Sequence, residues 1–89
     1  NYIEAWNKRA TIRFMMGQTE TSLEDVFVVL SKEPKHFGAM SGLGLILMKE
    51  KDFDGALRAY KKVLQINPFS RDAIRLIPIL EQRVFGERI

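Results

Sequence analysis

Residues 37 to 68 carry a pattern of side-chain sizes that also appears one unit earlier in the chain. Pro34 answers Pro68, Leu30 answers Leu64, Val29 answers Val63, Leu23 answers Leu57 and Ile12 answers Ile46. Ala10 answers Gly44 and Ser22 answers Ala56, so both positions stay small. The offset is the same for every pair. A fixed period of this length describes units that cannot bury an apolar face alone and must stack. The later unit is the clearer. Phe53, Ala56, Leu57, Tyr60 and Leu64 fall at i, i+3, i+4, i+7 and i+11, one stripe of helical period. Asp54, Arg58, Lys61, Lys62 and Gln65 lie opposite and face water. Asp52 suits the N-cap, where its carboxylate accepts an orphan backbone N–H. Pro68 ends the helix by pushing Asn67 out of the α region.

The periodicity predicts an all-α chain of about five antiparallel helices near residues 3–16, 20–32, 36–49, 53–66 and 71–84. The first ends at Gly17, which tolerates the left-handed conformation. Arg9 and Arg13 are expected to lay their stems along the core with the charged heads in solvent. Thr21 and Glu24 have capping-box spacing at the start of the second helix. Leu23, Val26, Phe27 and Leu30 make its stripe, widened by Val28 and Val29. The third helix has two apolar faces, Met40, Leu43, Gly44 and Leu47 on one, Leu45 and Met48 on another. Gly38, Gly42 and Gly44 each cost about 1 kcal/mol relative to alanine. Gly44 is explained by helix crossing; Gly38 and Gly42 admit either close packing or the approach of a ligand backbone. Lys51 replaces the corner glycine, which predicts a looser turn. Ser70 caps the last helix, whose apolar face is Ala73, Ile74, Ile77 and Leu80. Pro78 predicts a kink near residues 74–77, followed by a second segment toward Phe85 and a stop at Gly86.

The 34-residue helix–turn–helix period resembles that of the tetratricopeptide repeat (TPR) family. Trp6, Ala10, Gly17, Ser22 and Pro34 carry the resemblance in the first unit; Leu43, Gly44, Ala56, Tyr60 and Pro68 carry it in the second. It implies a right-handed α-solenoid and a single domain over residues 1–89. The first repeat would cover residues 3–36, the second residues 37–70, and a capping helix residues 71–85. Arg9 and Arg13 depart from the family, which usually places an apolar and an aromatic residue there. The chain begins at Asn1 without an initiator methionine, and Asn1 and Tyr2 resemble the tail of a preceding repeat; it reads as a bacterial-type fragment of a longer protein. Tyr2, Ile3 and either Trp6 or Ala10 would then face an open side, which predicts self-association through the N-terminal helix, partial fraying or a crystal contact there.

Side-chain chemistry for catalysis is sparse. His36 is the single histidine and there is no cysteine, so no imidazole pair or thiolate can hold a metal. His36 reads as a surface residue at a helix start. Ser31, Ser41 and Ser70 have no base or nucleophile elbow around them. The sequence around Gly42 and Gly44 lacks the remainder of a dinucleotide fingerprint and lies within a helix. Asp52 and Asp54 read as cap and first-turn acids. Met40 and Met16 are expected to fill the core. The net charge of +3 comes from Lys and Arg interleaved with Asp and Glu, a pattern of solvated helix faces and not a nucleic-acid footprint. The longest uncharged run, residues 37–48, is too short to span a bilayer. The expectation is a non-enzyme without cofactor, nucleic-acid partner or membrane span in this segment, its compartment undetermined.

The resemblance implies a concave channel along the odd-numbered helices that binds a peptide or helix of a protein partner. Transferred to this sequence, the channel residues are Asn7, Thr11, Phe14 and Met15, then Ser41, Leu45, Met48 and Lys49, then Arg75 and Ile79. One branch of the family grips acidic C-terminal tails with a lysine-and-asparagine clamp. Asn7 and Lys8 resemble it, but Thr11, Ser41 and Gly42 stand where clamp residues are needed. The apolar centre of the channel therefore predicts an apolar peptide or helix, with Lys49 and Arg75 favouring acidic flanks. The alternative is a structural segment that stacks on neighbouring repeats or on a second copy.

Overall fold

The structure, a computed structural model, describes residues 2–86. Five α-helices follow one another: α1 (Tyr2–Met15), α2 (Thr19–Lys32), α3 (Phe37–Lys49), α4 (Phe53–Ile66) and α5 (Arg71–Gly86). No strand occurs among the described residues, and the β-prone run from Val26 to Leu30 lies inside α2. Links this short force consecutive helices to run antiparallel. α1 packs on α2, α3 on α4 and α4 on α5, while α3 also touches both α1 and α2.

The two hairpin corners have the same backbone. Gly17 has φ +78° and Lys51 has φ +63°. At the first corner the Gly17 N–H donates to the Phe14 carbonyl at 3.0 Å and the Gln18 N–H to the Arg13 carbonyl at 2.8 Å. At the second, Lys51 donates to Met48 at 3.0 Å and Asp52 to Leu47 at 2.8 Å. The looser corner expected at Lys51 is not found: these paired bonds satisfy the last carbonyls of each helix and hold the lysine in the left-handed region. Asp52 caps α4 as expected, accepting the Gly55 N–H at 2.9 Å, and Ser70 accepts the Ala73 N–H at 3.3 Å. Thr21 does not cap α2; the helix has already begun at Thr19, and the Thr21 hydroxyl donates to the Gln18 carbonyl.

Two groups of buried side chains form the core, and α3 borders both. Ala10, Val26, Val29, Ala39 and Ile46 form one, with Ile3, Trp6, Leu23, Leu30 and Leu43 packed on it. Ala56, Leu57, Tyr60, Val63, Ala73, Leu76, Leu80 and Val84 form the other, with Met40, Leu47, Phe53 and Leu64 packed on it. Helices touch most closely at the small positions. A Cβ added to Gly44 would lie 2.6 Å from Tyr60 Cε2, so this glycine is required by the ring above it. In the first hairpin the Ser22 hydroxyl donates to the Ala10 carbonyl at 2.6 Å.

Several side chains sit elsewhere than the stripes predicted. Phe27 and Met16 are exposed, because Val26 and Val29 already fill the inner face of α2 and Met16 lies past the end of α1. Ile74 is also exposed: α5 turns Ala73, Leu76, Leu80 and Val84 toward α4. Ala10 is buried, and Ile3 and Trp6 pack on the first cluster, so of the expected open set only Tyr2 is fully turned outward. Pro78 does not divide α5, which runs as one helix through Gly86, the last described residue. Pro78 is itself exposed, so water can reach the carbonyl that its missing N–H leaves free.

Candidate partner-binding face

Three of the channel positions are one residue repeated: Thr11, Leu45 and Ile79 hold the same place in successive units, on α1, α3 and α5. Each is exposed, and two are apolar, with Leu45 43% and Ile79 57% open to solvent. Asn7, Ser41 and Arg75 form a second such row, and Phe14 and Met48 begin a third. Thr11 and Leu45, on the adjacent helices α1 and α3, line one cleft.

Between α1 and α3 this face opens into a cleft of about 310 Å³, counting the space open to solvent at its mouth. Its walls include Asn7, Thr11, Phe14 and Leu45, and its floor includes Ala10, Val26 and Ile46. Gly42 lies on the same surface; a Cβ built there would meet only Val26 Cγ2, at 3.9 Å. Of the ten channel residues, the structure therefore brings four together in one cleft. Lys49 stands beside them, with its Nζ 5.3 Å from the centre of the Phe14 ring, a cation–π distance. Met15, Ser41, Met48, Arg75 and Ile79 lie outside the lining. Met48 turns partly into the second core cluster, and Arg75 is held by Asp72 at 3.5 Å on its own helix.

Two polar arrangements were not read from the sequence. Asp25 is buried, 1% exposed, in the middle of α2. Arg9 makes a fork to both of its oxygens, Nε to Oδ2 at 2.9 Å and Nη2 to Oδ1 at 2.8 Å, and Arg13 Nη1 reaches both at 3.1 and 3.2 Å. The arginine heads are drawn to this carboxylate yet keep contact with solvent, the Arg9 side chain 47% and the Arg13 side chain 28% exposed, so the expected solvent-facing heads are found only in part. Hydrogen bonding to Asp25 raises the Arg9 pKa further, and the Arg9 guanidinium stacks 4.3 Å over the Trp6 ring. The signal lay in the repeat itself, since Arg9, Arg13 and Asp25 occupy the positions of Leu43, Leu47 and Ala59.

The second arrangement is His36. It is more than a surface residue: its Nδ1 accepts the Ala39 N–H at 3.0 Å and caps α3, while Nε2 lies 2.6 Å from Glu4 Oε1 on α1. An accepting Nδ1 leaves a proton on Nε2 to donate to Glu4. That bond is the main reason the Glu4 carboxyl is held below its ordinary pKa. It ties the start of α1 to the start of α3.

Comparison with known proteins agrees with this architecture. The family model described as "Tetratricopeptide repeat" matches residues 39–70. A TPR repeat-containing protein of Rhizobium etli is 39% identical over 88 residues, covering 99% of this chain and 43% of that protein. The DnaJ homolog subfamily C member 3 of Mus musculus is 33% identical over 72 residues, 81% of this chain and 14% of the relative. The Homo sapiens protein of the same name is 35% identical over 68 residues, 76% and 13% respectively. The chain thus spans less than half the length of each of these relatives. With helical hairpins recurring at a fixed period, one of them matched by the family model, the chain belongs to the tetratricopeptide repeat family.

Proposed function

We propose that this chain is a protein-interaction module whose α1–α3–α5 face receives an apolar peptide or helix of a partner. Repeats of this family generally serve protein–protein interaction. The observation that carries the finer reading is the exposure of Leu45 and Ile79 at equal positions of successive odd helices, beside the cleft of Asn7, Thr11 and Phe14. Apolar anchors at helical or extended spacing fill such a surface mainly by burial, so affinity should depend weakly on salt. Lys49 at the rim favours a carboxylate next to the anchors. The test is calorimetry with a captured partner on Leu45→Glu and Ile79→Glu, alongside thermal melts. Loss of binding with unchanged melting supports the face; unchanged affinity removes it as the site.

A second reading, that the chain stacks within a longer array or on a second copy, is favoured by a different observation. Ile12 is 56% exposed where its counterpart Ile46 is 1% exposed, and Ala5 is open where Ala39 is buried. In α3 those positions are covered by the preceding hairpin. Sedimentation of the wild type and Ile12→Asp tests this: concentration-dependent association that the aspartate abolishes supports stacking, and a monomer at every concentration argues against a second copy.

A further inference from the structure

Gly42 has no steric reason to be glycine. Gly44, further along the same helix, lies under the Tyr60 ring and admits no side chain, whereas a Cβ at Gly42 would make one ordinary contact with Val26. A glycine within a helix is unfavourable relative to alanine, and this one opens onto the cleft. The repeat supplies the second half of the observation. Where α3 and α4 pair Gly44 with Tyr60, α1 and α2 pair Ala10 with Val26, whose short side chain does not fill the space beside α3. A hole is therefore framed by Ala10, Val26, Gly42 and Ile46, apolar at its floor, with Asn7 and Thr11 at the mouth. Without the solvent at its mouth the cleft encloses only about 50 Å³, well below the range for ligand pockets, which suits one side-chain tip better than a small molecule. The charge beside it is positive: Lys49 stands over Phe14 and makes no ion pair among the described residues.

We infer that this cleft is an anchor subsite for one leucine-sized side chain of a partner peptide, with an acidic residue beside the anchor to meet Lys49. The inference rests on the partner-binding reading of the α1–α3–α5 face and names what that face selects.

The probe is a capped hexapeptide with a central leucine flanked by aspartate and glutamate, titrated into the isotope-labelled chain while amide shifts of Thr11, Gly42 and Ile46 are followed. The expected result is saturable shifts, at least roughly tenfold weaker binding when alanine replaces the leucine, and weaker binding again when lysines replace the acidic flanks or in Lys49→Glu. Gly42→Leu should fill the hole and remove the shifts. Gly42→Ala, which the neighbouring atoms accommodate, should melt no lower than wild type and bind several-fold more weakly; it decides the matter if the leucine variant does not fold. Equal binding of the leucine and alanine peptides, or full affinity in both Gly42 variants, overturns the subsite. Equal binding of the lysine-flanked peptide overturns the acidic neighbour. No shift with any peptide overturns the subsite as well. Ile79→Glu separates the two readings, because it lies on the face but outside the cleft. Binding lost in Ile79→Glu yet indifferent to Gly42 leaves the face and removes the subsite, and the reverse pattern leaves the subsite and removes the longer face.

Discussion

The α1–α2 and α3–α4 hairpins share a backbone plan and differ in what fills it. Their corners are closed by the same pair of hydrogen bonds, and their helices cross at small residues. Across the second crossing face Leu43, Leu47 and Ala59; across the first face Arg9, Arg13 and Asp25. Apolar packing does in one unit what a forked ion-pair triad does in the other. Turn geometry and close approach therefore set the hairpin, and the chemistry inside it can change provided a buried charge finds its partners. The first hairpin meets that condition at Asp25, whose two oxygens each accept from both arginines.

The largest expected effect comes from removing one side of the triad. Arg9→Leu with Arg13→Leu would leave the Asp25 carboxylate buried and unpaired, costing about 3–5 kcal/mol. Adding Asp25→Ala gives the first hairpin the side chains of the second and should recover all of that loss, because a buried ion pair is often no better than apolar residues of similar volume. Urea unfolding of the double and triple variants checks both; a triple variant as unstable as the double would mean the triad is required and not interchangeable.

Next is the alkaline limb, which belongs to the second hairpin. The Tyr60 hydroxyl is buried without a hydrogen-bond partner among the described residues, and burial, with Asp72 nearby, pushes its pKa from 10.0 up to about 12. Below pH 10 the phenol is neutral in both folded and unfolded chains and has no effect on the pH dependence. Between about pH 10 and 12 the unfolded chain sheds the proton while the folded one retains it, so stability falls by about 2–3 kcal/mol. Tyr60→Phe should flatten that limb, and at neutral pH should be neutral or stabilising, since it removes an unsatisfied hydroxyl. Melting temperatures of both proteins from neutral to high pH show whether it does.

Gly44→Ala should cost about 1–3 kcal/mol through overpacking against Tyr60. The smallest effect separates the two corners. Lys51→Gly relieves a left-handed non-glycine residue and should gain about 0.5–1 kcal/mol, whereas Gly17→Ala should lose about 1 kcal/mol at the corner of the same shape. Paired chemical denaturation curves would resolve the opposite signs.

The fold was legible because its determinants are local and repeated. The stripe of Phe53, Ala56, Leu57 and Tyr60, the Asp52 cap and the Pro68 stop can each be read within one helix, and the second unit repeats the statement. Interactions between helices were harder. Arg9 and Asp25 meet only after α1 and α2 have crossed, so within α1 alone the Arg9 head has no visible partner but solvent. Intrinsic preference hides the left-handed corner at Lys51, although the lysine holds the place in its unit that Gly17 holds in the first. Of the channel residues, Asn7, Thr11, Phe14 and Leu45 converge because α1 lies beside α3, with Thr11 and Leu45 at equal positions of the two helices. The cleft they line could not be anticipated, since it follows from the volumes of Ala10 and Val26 and not from any residue's polarity.

The division of the core at α3 governs how the molecule opens. Ala39 and Ile46 belong to the cluster shared with α1 and α2, while Met40, Leu47 and Met48 pack on the larger cluster of α4 and α5. Subglobal unfolding proceeds in cooperative units, and stacked repeats couple through nearest neighbours. The smaller pool can dissolve, releasing α1 and α2, while α3 keeps its second set of contacts. Amide hydrogens of α1 and α2 would then exchange with solvent as a group ahead of those in α4, and α3 would report the coupling between the two pools. Any ligand that bridges α1 and α3 slows the first group, so its arrival would be visible as protection on helices α1 and α2 as a whole and not only where it touches.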